Sequence, residues 1–178
     1  MRFSTALRLG LTLLTVAAAC RPAPVPAAAP PTDFAADIQA FADWDTKNAI
    51  PADPIVFAGS SSIRLWNTGE RFPDKPVVNR GFGGSQLSDV NMYIRETVLR
   101  YHPRIVVLYA GDNDINAGKT NDQVFAAYEI FVDAVHGADS TADIIFIPIK
   151  PSVQRWALWP QMRDLNARIR SYIQQHRH

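Results

Sequence analysis

Three short polar segments of this 178-residue chain each follow directly on an apolar run. They are residues 59–62 (Gly-Ser-Ser-Ser), 79–85 (Asn-Arg-Gly-Phe-Gly-Gly-Ser) and 111–114 (Gly-Asp-Asn-Asp). A serine hydroxyl can act as a nucleophile, and glycine backbone N–H groups and asparagine side-chain amides can stabilise negative charge on a reacting oxygen. If the three segments meet in the fold, acyl transfer is the chemistry that they could perform together.

Each segment also has a purely structural interpretation. Residues 59–62 could form a turn in which one serine caps a helix, and residues 111–114 could form a turn that Asp and Asn favour. Residues 81–84 could be a loop that needs positive φ, and they do not complete a dinucleotide-binding motif because Gln86 stands in place of the third glycine. All three structural interpretations would have to hold at once, which favours the catalytic interpretation.

The apolar runs before these segments predict the strands of a parallel sheet. The predicted strands are residues 55–58, 77–79, 105–110 and 144–149, and all but the second are apolar enough to be buried on both faces. Longer segments with helical spacing separate them, which is typical of an α/β fold with crossover helices. Ligands bind at the carboxyl ends of such strands, so the three polar segments should converge on one edge of the sheet.

Apolar residues at helical spacing predict four helices, of which the first is short. Ser88 or Asp89 should cap the helix before the third strand, and a capping box at residues 120–123 should begin the next helix, which Gly137 ends. Pro160 suits the first turn of the last helix. The apolar residues predicted on the four helices are Phe34, Ile38 and Phe41; Val90, Ile94, Val98 and Tyr101; Val124, Tyr128, Phe131, Val132 and Val135; and Met162, Leu165, Ile169 and Ile173.

The three polar segments resemble the sequence blocks of the GDSL or SGNH hydrolases, in the family's order and with its spacing. The resemblance implies that Ser61 is the nucleophile and that the backbone N–H groups of Ser61 and Gly84 and the side-chain amide of Asn113 form the oxyanion hole. It also implies a flavodoxin-like three-layer α/β/α sandwich with strand order 2-1-3-4-5. The implied activity is ester hydrolysis without a cofactor.

The match at the nucleophile departs from the family pattern at two positions. Ser60 and Ser62 stand where the name-giving tetrad has Asp and Leu. The nucleophile elbow of the α/β-hydrolases fits less well, because that motif needs a glycine two residues after the serine and this chain has Ile63.

The family resemblance also implies a base from a late Asp-x-x-His motif, and this chain contains no such motif. A serine nucleophile needs its base within about 3 Å. His102 and His136 should lie at the amino edge of the sheet, and the last helix should carry His176 and His178 towards the same edge. We expect either a truncated chain, which lacks the fifth strand, the histidine loop and the final helix and leaves strand four as a bare edge, or a pseudoenzyme.

Two functions therefore stand as hypotheses. The first is a serine esterase, for which the resemblance allows lysophospholipids, aryl or short acyl esters and acetylated sugars as substrates. The second is a surface-anchored binder of acyl or carbohydrate ligands that keeps the oxyanion hole and lacks the base. Arg80 is predicted to be a structural hydrogen-bond donor, and Trp66, Trp156 and Trp159 are predicted to pack in the interior rather than to border an acyl pocket.

Composition excludes several other classes of protein. The chain is 47% hydrophobic and 20% charged with a net charge of +1, and it has no cluster of Lys or Arg, so nucleic-acid binding has no electrostatic basis. The single cysteine excludes an internal disulfide, and no Cys or His spacing resembles a zinc site. We expect a small-molecule ester as partner, and no metal or cofactor.

The N-terminus predicts export from a bacterial cell. Arg2 and Arg8 form a basic region, and the apolar stretch over residues 9–19 is too short to span a bilayer. Residues 16–20 (Val-Ala-Ala-Ala-Cys) resemble a bacterial lipobox, which implies that Cys20 is lipidated. A cleavable signal peptide followed by an incidental cysteine is the alternative, and both place the protein in the periplasm or on a membrane.

The chain is thus predicted to have three parts. Residues 1–19 form a signal peptide, and residues 20–33 form a Pro- and Ala-rich tether that cannot build a core. Residues 34–178 form one hydrolase domain that is incomplete at its C-terminus.

Overall fold

The computed structural model of the protein describes residues 33–176 and is built around a parallel sheet. Its strands lie in the order β2-β1-β3-β4, which agrees with the predicted order of the first four strands. Cys20, the predicted signal peptide and nearly all of the tether lie outside the described residues, as does His178. The strands are β1 (Ile55–Gly59), β2 (Val77–Gly81), β3 (Ile105–Tyr109) and β4 (Asp143–Phe146).

Eight α-helices connect and flank the strands within the described part of the chain. Two short 3₁₀ turns, Leu99–Tyr101 and Trp156–Leu158, accompany them. None of these helices is both long and apolar enough to cross a membrane. The helices are α1 (Ala35–Asp45), α2 (Ser61–Arg64), α3 (Thr68–Arg71), α4 (Leu87–Met92), α5 (Ile94–Thr97), α6 (Asp112–Asn116), α7 (Asn121–Ala138) and α8 (Trp159–Gln175).

The sheet separates two apolar clusters, because alternate residues of a strand point to opposite faces. On one face, Val56 of β1 and Val106 of β3 pack in a large core with side chains of α4, α7 and α8. On the other face, Phe57 and Val107 pack in a smaller core with Ile63 of α2. Burial of each such side chain contributes roughly 1.5–3 kcal/mol to folding. The predicted three-layer α/β/α sandwich is therefore confirmed.

The prediction that β4 is buried on both faces is wrong. Its residues alternate between exposed and half-buried, and Ile145 is 49% exposed. The strand also ends at Phe146, three residues earlier than predicted. Among the described residues it pairs only with β3, and beyond its end the Asn166 side chain bonds both the N–H and the C=O of Ile149 at 2.9 Å. A side-chain amide thus satisfies backbone groups that a longer strand would have paired.

The predicted helix between β2 and β3 is broken into α4, α5 and a 3₁₀ turn. Its N-cap is Gln86 and not Ser88 or Asp89, because the Asp89 carboxylate reaches back to accept a hydrogen bond from the Gln86 N–H at 2.8 Å. The break occurs at Tyr93, whose carbonyl accepts a hydrogen bond from the Thr97 hydroxyl at 2.8 Å. Such back-bonding by Thr bends helices.

The two long helices agree closely with the predictions. Thr120 and Gln123 form the predicted capping box at the start of α7, with hydrogen bonds of 3.3 and 2.9 Å. This helix continues past Gly137, which does not stop it, to an Asp139 cap. Pro160 lies in the first turn of α8.

Arg80 is buried and structural, as predicted. Its guanidinium bonds the Tyr101 hydroxyl at 2.7 Å and pairs with the Asp45 carboxylate. The prediction that the tryptophans pack in the interior is wrong for Trp156. This residue is 63% exposed at the start of the 3₁₀ turn before α8. Trp66 packs on Phe57, as predicted.

Candidate active site

The first polar segment leaves the sheet at Gly59, where the backbone allows no side chain. An ideal Cβ at this position would lie 2.0 Å from the carbonyl oxygen of Tyr109, and φ is +127°. The following Ser60 N–H donates to the same carbonyl at 3.0 Å. This contact ends β1 against β3 and turns the chain so that α2 begins at the next residue, Ser61.

Ser61 lies partly exposed at the start of α2. Within residues 33–176, its hydroxyl has no hydrogen-bond partner, and its backbone N–H donates to no acceptor. The first N–H groups of a helix have no partner inside the helix. The adjacent serines differ from it: the Ser60 hydroxyl is fully buried without a partner among the described residues, and the Ser62 hydroxyl accepts from Lys150 at 2.6 Å.

The second polar segment adjoins the first. The Phe82 N–H donates to the carbonyl oxygen of Gly59 at 3.0 Å, and the Ser85 hydroxyl donates to the carbonyl of Phe82 at 2.9 Å. Gly84 between them has φ of +84°, a region that a residue with a side chain rarely adopts. The Gly84 N–H has no acceptor in the part of the chain that the structure describes.

Asn113 brings the third polar segment to the second. Its side-chain Nδ2 donates to the carbonyl oxygen of Ser85 at 2.9 Å, one residue from Gly84. Its Oδ1 accepts from Nη2 of Arg155 at 2.9 Å. An amide nitrogen carries two hydrogens, so one N–H of Asn113 remains without an acceptor among the described residues. The structure therefore brings together the three sequence segments that carry Ser61, Gly84 and Asn113.

The two aspartates beside Asn113 hold the third segment in place. Asp112 pairs with Arg155 at 2.8 Å. Asp114 is fully buried, where it accepts the Leu87 N–H at 2.9 and 3.1 Å and the Lys119 ammonium at 3.0 Å. Burial raises the pKa of the Asp114 carboxyl, and the hydrogen bonds from Lys119 and Leu87 oppose this shift. The second and third segments are thus joined both by Asn113 and by Asp114.

Lys150 and Arg155 belong to the same edge of the sheet, and the sequence analysis did not identify them. The Lys150 ammonium donates to the Ser62 hydroxyl and to the Tyr109 hydroxyl at 3.1 Å, and it lies 4.6 Å from the centre of the Tyr109 ring. Both cations follow β4, as the polar segments follow β1 to β3. The polar residues after the fourth strand could therefore have been included by the same rule.

The described histidines lie at the amino edge of the sheet, as predicted. Nε2 of His136 is 3.2 Å from the carbonyl oxygen of Ala142, directly before β4. His176 stacks on Tyr172, and it lines a cavity of about 420 Å³ together with His136. His102 precedes β3. None of these imidazoles belongs to the edge that carries Ser61, and residues 33–176 contain no cluster of three His, Cys, Asp or Glu suited to a metal ion.

A family model supplies the decisive comparison. The model of the GDSL-like Lipase/Acylhydrolase family matches residues 64–178. The chain belongs to this family. The match includes Gly84 and Asn113 and begins just after Ser61. Membership supports ester hydrolysis as the general chemistry of this GDSL hydrolase. A search of curated protein sequences found no significant match.

Solved structures of similar fold agree with this assignment. A GDSL-like lipase from Bacteroides thetaiotaomicron is 21% identical with a TM-score of 0.68, covering 79% of this chain and 74% of its own. A carbohydrate esterase family 3 protein from Talaromyces cellulolyticus is 20% identical with a TM-score of 0.54, covering 69% and 73%. A variant of an acetyl-xylooligosaccharide esterase from Geobacillus is 14% identical with a TM-score of 0.56, covering 72% and 75%. At these sequence identities, the structural similarity shows the fold alone.

Proposed function

We propose that this protein hydrolyses carboxylic esters with Ser61 as nucleophile. The observation that carries the proposal is the set of N–H groups without an acceptor in the described residues, namely the backbone N–H groups of Ser61 and Gly84 and one side-chain N–H of Asn113. They lie on three adjoining segments at the carboxyl ends of neighbouring strands. Donors that are fixed in place before reaction are what an oxyanion hole requires.

The proposed reaction proceeds in two steps through an acyl-enzyme. The Ser61 hydroxyl oxygen bonds to the ester carbonyl carbon while its proton passes to a base, and the carbonyl oxygen takes up the negative charge. The three N–H donors stabilise this oxygen. Collapse of the intermediate breaks the bond to the alcohol oxygen, which takes the proton from the base. Water then attacks the acyl group by the same route and releases the carboxylic acid.

The base in this mechanism is proposed to come from outside residues 33–176. The described imidazoles are at the other edge of the sheet, and the Ser61 hydroxyl has no hydrogen-bond partner among the described residues. The family resemblance implies an Asp-x-x-His motif in this role.

Acetylated sugars are the substrate class that we would assay first. Two proteins of similar fold carry names that refer to carbohydrate or acetyl-xylooligosaccharide esters. Lysophospholipids and aryl or short acyl esters are the further classes that the family resemblance allows.

A ligand-binding pseudoenzyme is the second candidate function. The absence of an imidazole beside Ser61 within the described residues favours it. Such a protein would bind acyl or carbohydrate ligands at the oxyanion hole without turnover.

One experiment tests the proposed esterase mechanism. The 178-residue chain is compared with a chimaera in which the C-terminal strand, Asp-x-x-His loop and helix of a GDSL relative follow residue 178, with p-nitrophenyl acetate as substrate. We expect the chimaera to be roughly 10⁴–10⁶ times faster, because that is the cost of a missing triad member. Ser61→Ala should remove the gain. A folded chimaera without Ser61-dependent activity would contradict the assignment of Ser61 as nucleophile.

We also propose that the protein is exported and lipidated at Cys20. The lone cysteine follows an apolar stretch and three small residues, which supports this processing. Mass spectrometry of the mature N-terminus tests it: a diacylglycerol-modified Cys20 is expected, and an unmodified cysteine or cleavage elsewhere contradicts it.

A further inference from the structure

Arg155, in the loop between β4 and α8, contacts two residues of α6. The guanidinium of Arg155 donates from Nη1 to Oδ2 of Asp112 at 2.8 Å and from Nη2 to Oδ1 of Asn113 at 2.9 Å. The side chains of Arg155 and Asp112 are mostly buried, with 24% and 16% exposed. The planar fork of the guanidinium thus contacts two consecutive side chains.

These contacts determine which end of the Asn113 amide faces the proposed oxyanion. An arginine has donors and no acceptor, so the group bonded to it must be the amide oxygen. The carbonyl of Ser85 only accepts, so the group bonded to it must be the amide nitrogen. Rotation of the amide by 180° would break both bonds and place a carbonyl oxygen where the oxyanion needs a donor.

We propose that Arg155 is the positioning residue that holds the Asn113 amide in its oxyanion-binding orientation, an inference that rests on the proposed function. Without Arg155 the orientation depends on the Ser85 carbonyl alone. The cation on Oδ1 also polarises the amide and makes its free N–H a stronger donor. Asp112 balances the charge of Arg155, so the arrangement adds little net charge beside the reacting oxygen.

A double-mutant cycle in the chimaera described above, which carries the Asp-x-x-His loop, tests this role. The Ser61-dependent hydrolysis of p-nitrophenyl acetate is measured for the wild type, Arg155→Met, Asn113→Ala and the double variant. We expect Arg155→Met to lower kcat by about 10- to 100-fold with KM within about twofold, since a misplaced catalytic group costs up to about 10². In the Asn113→Ala background the same change should cost less than about twofold.

Three further variants separate positioning from charge and from general packing. Arg155→Lys keeps the charge and loses the fork, so its kcat should fall between those of the wild type and Arg155→Met. Arg155→Met leaves the Asp112 carboxylate without its partner. Adding Asp112→Asn removes that charge, and the kcat of the double variant should remain as low as that of Arg155→Met. Arg168→Met breaks another arginine–aspartate pair, between α8 and α7, and should leave kcat unchanged. An equal loss from Arg155→Met with and without Asn113 would overturn the inference.

A second measurement does not depend on turnover. The side-chain amide of Asn113 gives a pair of proton resonances in a ¹⁵N-correlated NMR spectrum, assigned by their loss in Asn113→Ala. Arg155→Met should shift both and speed their exchange with water, while Arg168→Met should not. Unchanged resonances in Arg155→Met contradict the positioning role. If the kinetics show no Ser61-dependent turnover, the esterase proposal fails separately, and the spectrum still decides the role of Arg155.

Discussion

The two ends of the parallel sheet carry different chemistry. The carboxyl end holds a serine hydroxyl and three N–H donors without acceptors in the described residues. The amino end holds the described histidines and a cavity of about 420 Å³. Neither a cavity nor a set of titratable side chains therefore identifies the candidate site. The site is identified by donors that the fold leaves unused.

The backbone explains this difference between the ends. At the amino end, the segments that enter the strands form backbone hydrogen bonds with one another. The Ile55 N–H donates to the carbonyl of Pro76 at 2.8 Å, and the Asp143 N–H donates to the carbonyl of Arg104 at 3.0 Å. At the carboxyl end, Ser60 and Phe82 make similar bonds to the carbonyls of Tyr109 and Gly59, but the N–H groups of Ser61 and Gly84 have no acceptor among the described residues. An open donor that is held rigidly can stabilise a charge that develops during a reaction.

The largest expected effect belongs to the nucleophile, and the three consecutive serines provide its controls. In the chimaera with the Asp-x-x-His loop, Ser61→Ala should lower kcat by roughly 10⁴–10⁶. Ser62→Ala loses only a hydrogen bond from Lys150, and Ser60→Ala removes a buried hydroxyl without a described partner, so both should stay within about tenfold. Steady-state kinetics on the three variants decides. A larger loss of kcat in Ser62→Ala than in Ser61→Ala would identify Ser62 as the nucleophile instead.

Two glycines, one at the carboxyl end of β1 and one in α7, should respond oppositely to substitution by alanine. Gly59→Ala should destabilise the fold by more than about 3 kcal/mol, because the new Cβ would overlap the Tyr109 carbonyl and overpacking against backbone cannot relax. Gly137→Ala, in α7 with no atom within 4 Å, should stabilise by about 0.5 kcal/mol. Urea unfolding measures both. Equal free energies of unfolding for the two variants would contradict the proposed constraint at the carboxyl end.

The pH dependence of stability should have opposite signs at the two ends. Burial raises the pKa of Asp114, so its contribution to stability is fully present below the unfolded-state pKa and is lost as pH rises through the raised folded value. Hydrogen bonds from the Thr141 side chain and backbone lower the pKa of Asp139, so its contribution is present above the unfolded-state pKa and is lost as pH falls through the lowered value.

Two aspartate-to-asparagine variants test these signs. Relative to the wild type, Asp114→Asn should gain stability as pH rises from about 4 towards neutrality, and Asp139→Asn should gain stability as pH falls below about 4. Denaturant unfolding across this range measures the slopes. The same sign for both variants would show that burial does not dominate at Asp114.

The smallest expected effect concerns the amino end itself. His136→Gln with His176→Gln should change kcat/KM for ester hydrolysis by less than about twofold, because both imidazoles lie at the edge opposite Ser61. A loss of more than tenfold in a folded variant would mean that the amino end takes part in the chemistry. That result would contradict the assignment of the reaction to the carboxyl end alone.

The sheet and the long helices could be predicted from sequence, because their signals are local. Apolar runs of four to six residues indicate strands, and the Thr120 capping box lies within one turn of helix. Convergence of the three polar segments followed from the rule that parallel strands place their carboxyl ends together. The roles of Ser61, Gly84 and Asn113 themselves remain predictions.

Features that depend on distant contacts could not be predicted in the same way. The bond between Lys150 and Ser62 spans 88 residues of sequence, and no local pattern indicates it. The exposure of β4 depends on its position at the edge of the sheet, whereas its apolar sequence suggested burial on both faces. The N-cap at Gln86 is not evident from the sequence, because its partner Asp89 is itself a residue type that caps helices.

The link between Arg155 and Asn113 has a consequence for the order in which the site forms during synthesis. Its two ends are 42 residues apart, and the arginine comes last. A ribosome releases the chain from its N-terminus, so Ser61, Gly84 and Asn113 all emerge before the residue that orients the asparagine. A nascent chain that ends before residue 155 therefore has the proposed nucleophile and the proposed glycine donor without a fixed Asn113 amide. The proposed oxyanion hole can therefore become complete only after residue 155 has been synthesised.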